Sequence, residues 1–372
     1  MNMTHQEACE NKVRSRIPAV RRLAHIIALT GLALALTACA APKQFIAPNA
    51  AFEDIDVQRI YVATDRVLAP DLSGTTQRAS ALSFAQFDIT IPPEHTPGEV
   101  EFSARNPDPT RYFTVASAQG VDTLAQLGER VRPEGGASGR PADSTIIYVH
   151  GFSTSLEGAV YRHAQIAHDY ELRGPQVTFS WPSIQRTVGY VRDKDSVLIA
   201  RDHLEELVAE LTQDGETVFI FGHSMGTQLV VETLRQLSIS GRQDVLSRVG
   251  GVILISPDID LDLFEAQYER IDPLSHPFVV MTSERDYALR ASAFLTAQPA
   301  RLGSARDRER LADLGLLVVN LSDLPNARDH FLAANSPIVI NLIKSVRDAD
   351  ASNPFPRSGI IDAATLQALW EN

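Results

Sequence analysis

From Ser144 onward, apolar runs of four to six residues alternate with longer stretches in which apolar positions recur every three or four residues. The short runs predict buried strands and the longer stretches predict amphipathic helices. Strands are expected at Thr145–Val149, Val177–Trp181, Val218–Phe221, Val252–Ile255, Phe278–Met281 and Leu316–Leu321. Helices are expected over roughly Leu156–Glu171, Asp193–Leu211, the stretch that ends near Leu234, Leu261–Tyr268 and Pro337–Val346. In the second of these, Val197, Leu198, Leu204, Leu207, Val208 and Leu211 fall at helical spacing. Strands alternating with helices are the signature of α/β architecture: a mostly parallel twisted sheet with helices on both faces.

Before Ser144 the pattern differs. Arg59–Thr64 (RIYVAT), Leu82–Ile91 (LSFAQFDITI) and Tyr112–Ser117 alternate like strands, with Pro-, Gly- and Asp-rich loops rather than long helices between them. That spacing predicts an antiparallel N-terminal part of the sheet. Residues 133–143 (PEGGASGRPAD) read as a loop within the domain. The expected organisation is one α/β domain over 59–348 and a polar C-terminal tail over 349–372, with a short helical turn near Ala363–Trp370.

The first 38 residues follow another logic. Lys12, Arg14, Arg16, Arg21 and Arg22 precede an apolar run from Leu23 to Ala38, which is short of the ~20 residues a membrane span needs. Residues 1–38 therefore read as a processed leader. The run ends in Leu36-Thr37-Ala38-Cys39, which resembles the bacterial lipobox. The resemblance implies that Cys39 is acylated and that the protein sits in the cell envelope; residues 39–58, with Pro42, Pro48 and several alanines, read as a tether. With Ala40 after the cysteine, the resemblance implies the periplasmic face of the outer membrane in a Gram-negative cell. Arg21-Arg22 is a weak signal for twin-arginine export. The leader's five basic and two acidic side chains carry +3, so removing it takes the chain from −12 to −15. That charge repels anionic lipid and leaves the acyl anchor to hold the protein at the membrane.

Composition narrows the classes further. A chain of 372 residues with 44% hydrophobic and 22% charged residues can bury a sizeable core. The acidic balance excludes a nucleic-acid footprint. Cys9 and Cys39 are the only cysteines, so there is no disulfide framework. No Gly-x-Gly-x-x-Gly run and no His-Glu-x-x-His run occurs, and neither a cofactor nor a metal is expected.

The chemistry centres on FIFGHSMGTQLVVETL, residues 219–234. A strand, a sharp turn and a helix are the context in which Gly-x-Ser-x-Gly presents a nucleophile. Ser224 needs strained backbone to stand clear of the sheet, so Gly222 and Gly226 are the small residues that let the turn close. A serine hydroxyl also needs a base, and the base needs a carboxylate. On this scaffold the chain order is Ser, acid, His. Only His276 and His330 follow Ser224. His276 immediately precedes a strand, at the edge opposite the nucleophile, whereas His330 lies in a loop after the last strand, which makes it the candidate base. Asp286, five residues past Met281, is the candidate acid, with Asp258 as alternative and Asp260 beside it. Asp258 also reads as a cap for the helix at Leu261. Glu284 and Asp323 are further carboxylates past strand ends. The backbone N–H groups of Met225 and Phe152 are the candidate oxyanion donors. Trp181 and Tyr190 are candidate pocket-lining residues, with core packing the competing role. His150 and His223 flank the elbow as packing or hydrogen-bonding residues.

With those pieces in place, the chain resembles an α/β-hydrolase family of unknown function within the bacterial esterase/lipase superfamily. The runs that carry the resemblance are ITIPPEHTPGEVE (89–101), IIYVHGFSTSLEGAVYRHAQIAHD (146–169), FSWPS (179–183), YVRDKDS (190–196), GHSMGTQLVVETLRQL (222–237), ILISPDID (253–260), SERDYALRAS (283–292) and RLG (301–303). It spans roughly residues 59–345 and implies an α/β-hydrolase fold with Ser224, Asp286 and His330 as the triad. About twenty residues separate Asp258 from Phe278, too few for a large cap domain. The function expected is a membrane-anchored carboxylesterase or lipase-like serine hydrolase acting on acyl esters. An acyltransferase on the same triad, or a non-catalytic envelope protein with this fold, are the alternatives.

Overall fold

The computed structural model describes Phe45, residues 55–132, 144–274, 278–297, 301–304, 308–340, 358–362 and Thr365. All of these belong to one compact unit, Ala41–Asn372. The leader, Cys39, His276, the 133–143 loop, and most of the tether and of the C-terminal tail lie outside the described residues.

Ten strands among the described residues form a single sheet. They are β1 Val57–Leu68, β2 Gly74–Thr90, β3 Thr114–Val121, β4 Thr145–Val149, β5 Gln176–Ser180, β6 Val218–His223, β7 Val249–Ile255, β8 Phe278–Thr282, β9 Leu317–Asn320 and β10 Gly359–Ile361. Their spatial order is β10-β9-β8-β7-β6-β4-β5-β1-β2-β3. β1–β2 and β2–β3 pair antiparallel, and every other neighbouring pair is parallel. The described helices are α1 Leu124–Val131, α2 Leu156–Asp169, α3 Tyr190–Leu211, α4 Gly226–Ile239, α5 Gln243–Leu246, α6 Leu261–Tyr268, α7 Tyr287–Leu295, α8 Arg308–Asp313 and α9 Leu332–Asn335.

Alternation along each strand decides which layer a side chain enters. In β1, Tyr61 and Ala63 join the core under α3, α4 and α6, while Ile60 and Val62 pack with Val160 and Tyr161 of α2. In β4, Ile147 and Val149 face the first layer and Ile146 and Tyr148 face the second, with Ile166 and Tyr170. Helices thus cover both faces. Each fully buried Leu or Val contributes about 1.5–3 kcal/mol of burial free energy, and the short central strands β4 and β6 are buried almost end to end.

Several elements depart from expectation. β1 begins at Val57, inside the expected tether, and runs to Leu68 as one arm of a long hairpin with β2. The third strand is shifted toward the C-terminus, to Thr114–Val121. α1 was not marked by the pattern; Thr123 caps it by accepting from the Gln126 N–H. α5, α7 and α8 are further short helices that the pattern does not mark. The tail expected over 349–372 contributes β10, parallel to β9, with Ile361 only 3% exposed. Between β7 and β8 the helix is α6, eight residues long, so no cap domain is inserted there. No described helix is long and apolar enough to cross a membrane.

Candidate active site

β6 runs into α4 through His223, Ser224 and Met225. Ser224 takes φ 53°, a left-handed conformation costly for a residue with a Cβ. Two features hold it there. The Ser224 N–H donates to the Ile255 carbonyl at 2.9 Å. Its carbonyl accepts from the Asp258 and Thr227 N–H groups and from the Thr227 hydroxyl, the last at 2.6 Å. The residue is 4% exposed. Close approach dictates the glycine at 226: a Cβ there would lie 2.2 Å from the His150 carbonyl oxygen. At Gly222 the added atom would lie 3.1 Å from the Thr227 Cα, which is tight but not prohibitive. Gly151 is a further constrained position, though less so than Gly226; its Cβ would fall 2.7 Å from the Ser224 Cβ. The loop after β4 therefore lies directly against the elbow. Met225 is the N-cap residue of α4, and no side chain caps that end. The partial positive charge of the helix N-terminus is thus not offset by a side-chain acceptor.

His330 lies in the loop after β9. Its Nδ1 donates to Asp286 Oδ2 at 2.7 Å. Asp286 is fully enclosed, and its other oxygen accepts from the Leu289 N–H at 3.0 Å, so the same carboxylate caps α7. Burial on its own lowers the His330 pKa; the charge and hydrogen bond of Asp286 outweigh it and hold the imidazole above its ordinary value. The opposite ring nitrogen, Nε2, is not engaged by Asp286. His223 ties this loop to the elbow. Its Nε2 donates to the His330 carbonyl at 3.3 Å, and its ring centroid lies 4.8 Å from that of His330. Burial pushes the His223 pKa well down, so this imidazole is neutral.

Three other carboxylates are engaged elsewhere. Asp258, the alternative acid, pairs with Arg301 at 3.1 Å and accepts from Tyr190 Oη and Ser292 Oγ. Nor does it cap α6; Asp260 does, accepting from the Leu263 N–H. Glu284 pairs with Arg308 at 2.6 Å. Of these carboxylates, the structure brings Asp286 to His330.

The two expected pocket-lining residues are placed differently. Trp181 is 0% exposed; its Nε1 donates to the His150 carbonyl at 2.8 Å and its ring stacks on His150. It is core, because stacking and the indole hydrogen bond are both satisfied behind the β4 loop. Tyr190 spends its hydroxyl on Asp258 and sets its ring edge-on to Phe152 at 5.4 Å, so it braces the loop carrying Phe152.

Arg66 was not singled out in the sequence. Its enclosed guanidinium donates to the Thr154 carbonyl at 2.8 Å, Ser180 Oγ at 2.9 Å and His150 Nε2 at 3.2 Å. Burial pulls its pKa down to about 10, and it remains charged at neutral pH. That cation and burial keep His150 neutral, its pKa pushed down to about 3 by burial first. Arg66 thereby clamps the segment from His150 to Thr154 against β1 and β5. Among the described residues no group of three or more His, Cys, Asp or Glu is arranged to hold a metal ion.

No curated protein matches the chain. Among solved structures, one of two fungal esterases from Rhizomucor miehei is 13% identical over 93% of this chain and 91% of its own, with a TM-score of 0.35. Esterase Est22 is 14% identical over 93% and 91%, with a TM-score of 0.34. Carboxyl esterase 2 from Tuber melanosporum is 11% identical over 82% and 89%, also at 0.34. Scores of this size carry no argument by themselves. The match that does is to the family described as alpha/beta hydrolase of unknown function (DUF900), over residues 137–347, and the chain belongs to that family.

Proposed function

We propose that this α/β hydrolase is a serine hydrolase cleaving acyl esters, with Ser224 as nucleophile, His330 as base and Asp286 as the acid that orients it. The observation that carries the reading is the 2.7 Å His330–Asp286 hydrogen bond, on a loop tied through His223 to a strained serine elbow. Nδ1 holds its proton toward Asp286, so Nε2 carries the lone pair that receives the Ser224 proton as Oγ bonds to the acyl carbonyl carbon. The carbonyl π electrons move onto oxygen, where the Met225 and Phe152 N–H groups receive the oxyanion; each such donor is worth about 3–4 kcal/mol in the transition state. The imidazolium then gives its proton to the departing alkoxide, leaving an acyl-enzyme on Ser224. Water, deprotonated by His330, repeats the sequence and releases the carboxylic acid. The lipobox adds an anchor: Cys39 carries the acyl chains and holds the enzyme at the cell envelope.

A fluorophosphonate probe tests the chemistry. Intact protein takes the label and turns over p-nitrophenyl esters, and Ser224→Ala does neither; unlabelled wild type, with Ser224→Ala matching its ester turnover, sinks the proposal. Comparing esters by chain length then separates lipase-like from short-chain activity. For the anchor, Cys39→Ser releases the protein to the soluble fraction; unchanged membrane fractionation counts against the lipobox.

A further inference from the structure

The base sits on a short segment that needs its own support. Asp329, before His330, accepts through Oδ1 from the Phe331 N–H at 2.9 Å and through Oδ2 from Asn335 Nδ2 at 2.7 Å. Residues 329–335 therefore close on themselves around His330. Beyond the contacts of His330 with Asp286 and His223, this closed segment is held against the body of the protein by α2, where Arg162 reaches both Asn335 and Phe331. Its Nη1 donates to Asn335 Oδ1 at 2.8 Å, to Gln165 Oε1 at 2.7 Å and to the Gly98 carbonyl at 3.1 Å. Its guanidinium carbon lies 4.7 Å from the centroid of the Phe331 ring. The Phe331 ring in turn stacks on His223 at 4.2 Å and 22°. One planar cation thus grips the segment at Phe331 and Asn335, on the C-terminal side of His330, and meets the residue before the nucleophile through a single intervening ring.

We propose that Arg162 is a positioning residue for His330, acting through Phe331, His223 and Asn335 to set the base against Ser224. The inference rests on the serine-hydrolase reading above. Arg162 touches neither Ser224 nor His330 in the contacts described, so it acts on where the imidazole is held. The residue type suits the task. A guanidinium stacks on an aromatic face while its edge hydrogen-bonds in a fixed plane, which an ammonium cannot do. Further contacts from α2 and its C-terminal end support the same segment. Gln165 Nε2 donates to the Ala334 carbonyl at 3.2 Å, and the Tyr170 hydroxyl to that of Ala333 at 2.6 Å. Gly98, at φ +95°, packs so closely on Asn335 that a Cβ would meet its carbonyl oxygen at 2.4 Å. These contacts hold the helical part of the segment, whereas Arg162 reaches the ring beside the base.

Misplacing a catalytic group by about 1 Å costs on the order of a hundredfold in rate. The test uses Arg162→Met, which keeps the apolar stem and removes the guanidinium, with turnover expressed per site labelled to completion by the fluorophosphonate. Unfolded molecules then drop out of the denominator. The expected result is a kcat per site lower by about ten- to a hundredfold with KM within about twofold, and partial recovery in Arg162→Lys. A kcat per site within about twofold of wild type in Arg162→Met overturns the proposal, while label on the wild type leaves the serine-hydrolase reading standing. A wild type that takes no label overturns both. Should Arg162→Met not fold, Phe331→Leu replaces it, with the same fall expected and the same unchanged turnover refuting it.

Discussion

Replacing Asp286 by Asn separates its two tasks. One oxygen caps α7 at the Leu289 N–H, and the other accepts from His330 Nδ1 at 2.7 Å. Asparagine is as good an N-cap as aspartate, so the helix end keeps its partner. With the amide oxygen retained at Leu289, the amide NH₂ faces His330 Nδ1. That nitrogen must then accept, and the ring proton moves to Nε2, where the lone pair for Ser224 is needed. In the serine-protease triad the equivalent change lowers kcat by about 10⁴, or about 5.5 kcal/mol of transition-state stabilisation. Asp258→Asn supplies the contrast. It leaves Arg301 buried without its counter-charge, and breaking such a pair costs about 3–5 kcal/mol of stability when one partner is removed. Turnover of a short-chain p-nitrophenyl ester and thermal unfolding are measured on both variants. Asp286→Asn should lose kcat by about three to four powers of ten and melt close to wild type, whereas Asp258→Asn should lose stability first. Equal losses of kcat in the two folded variants, or more than a tenth of kcat surviving in Asp286→Asn, would refute the assignment.

Other outcomes follow from the same geometry. His330 must be neutral to accept a proton, and Asp286 holds its pKa above the ordinary value despite burial, so kcat/KM should rise with pH through a midpoint above about 6.5. A midpoint at or below that value refutes the pairing. His95 lies between Asp169 and Glu101, each at 2.8 Å; burial lowers its pKa, but the two carboxylates outweigh burial and raise it. The stability this gives is fully present below the ordinary imidazole pKa and is lost as pH rises through the raised folded value. Melting temperatures of His95→Gln should therefore decline less than those of wild type as pH rises from the ordinary imidazole pKa through the raised one, and parallel curves would contradict the pairing with Asp169 and Glu101. Gly226→Ala sets a methyl against backbone oxygen and should cost about 3 kcal/mol or more, while Gly222→Ala costs less. Denaturant midpoints in the reverse order would show that the elbow relaxes in a way the close contacts do not allow.

The parallel sheet was readable because strand and helix periods are local properties, written into runs such as Val218–Phe221 and Val197–Leu211. The elbow was readable for the same reason. The choice between Asp286 and Asp258 was harder, since each follows a strand and lies shortly before a helix. The distinction is tertiary: Arg301 reaches one and His330 the other. Trp181 looked like a wall residue because an aromatic at a strand end has no local mark of burial; stacking on His150 decides it. α7 hides its helical pattern, since Phe294 and Leu295 are exposed while Leu289 and Ala291 are buried. Arg66 and Arg162 gave no signal because their burial depends on partners from distant segments, such as Ser180 and Asn335.

β10 bears on the order in which the molecule can be completed. It covers Leu317, Val318 and Val319 of β9 with only three residues of its own. Chains grow from the N-terminus, so every other described strand is available before this one is made. Until residue 361 has emerged, β9 presents apolar side chains beside an unpaired row of backbone donors and acceptors, the arrangement that recruits foreign strands. A transcript cut short, or a protease acting just before residue 358, would leave Ser224, Asp286 and His330 all present in a chain with an open flank. Residues 359–361 thus cover the β9 flank and leave a short outer edge in its place, although they lie outside the candidate site.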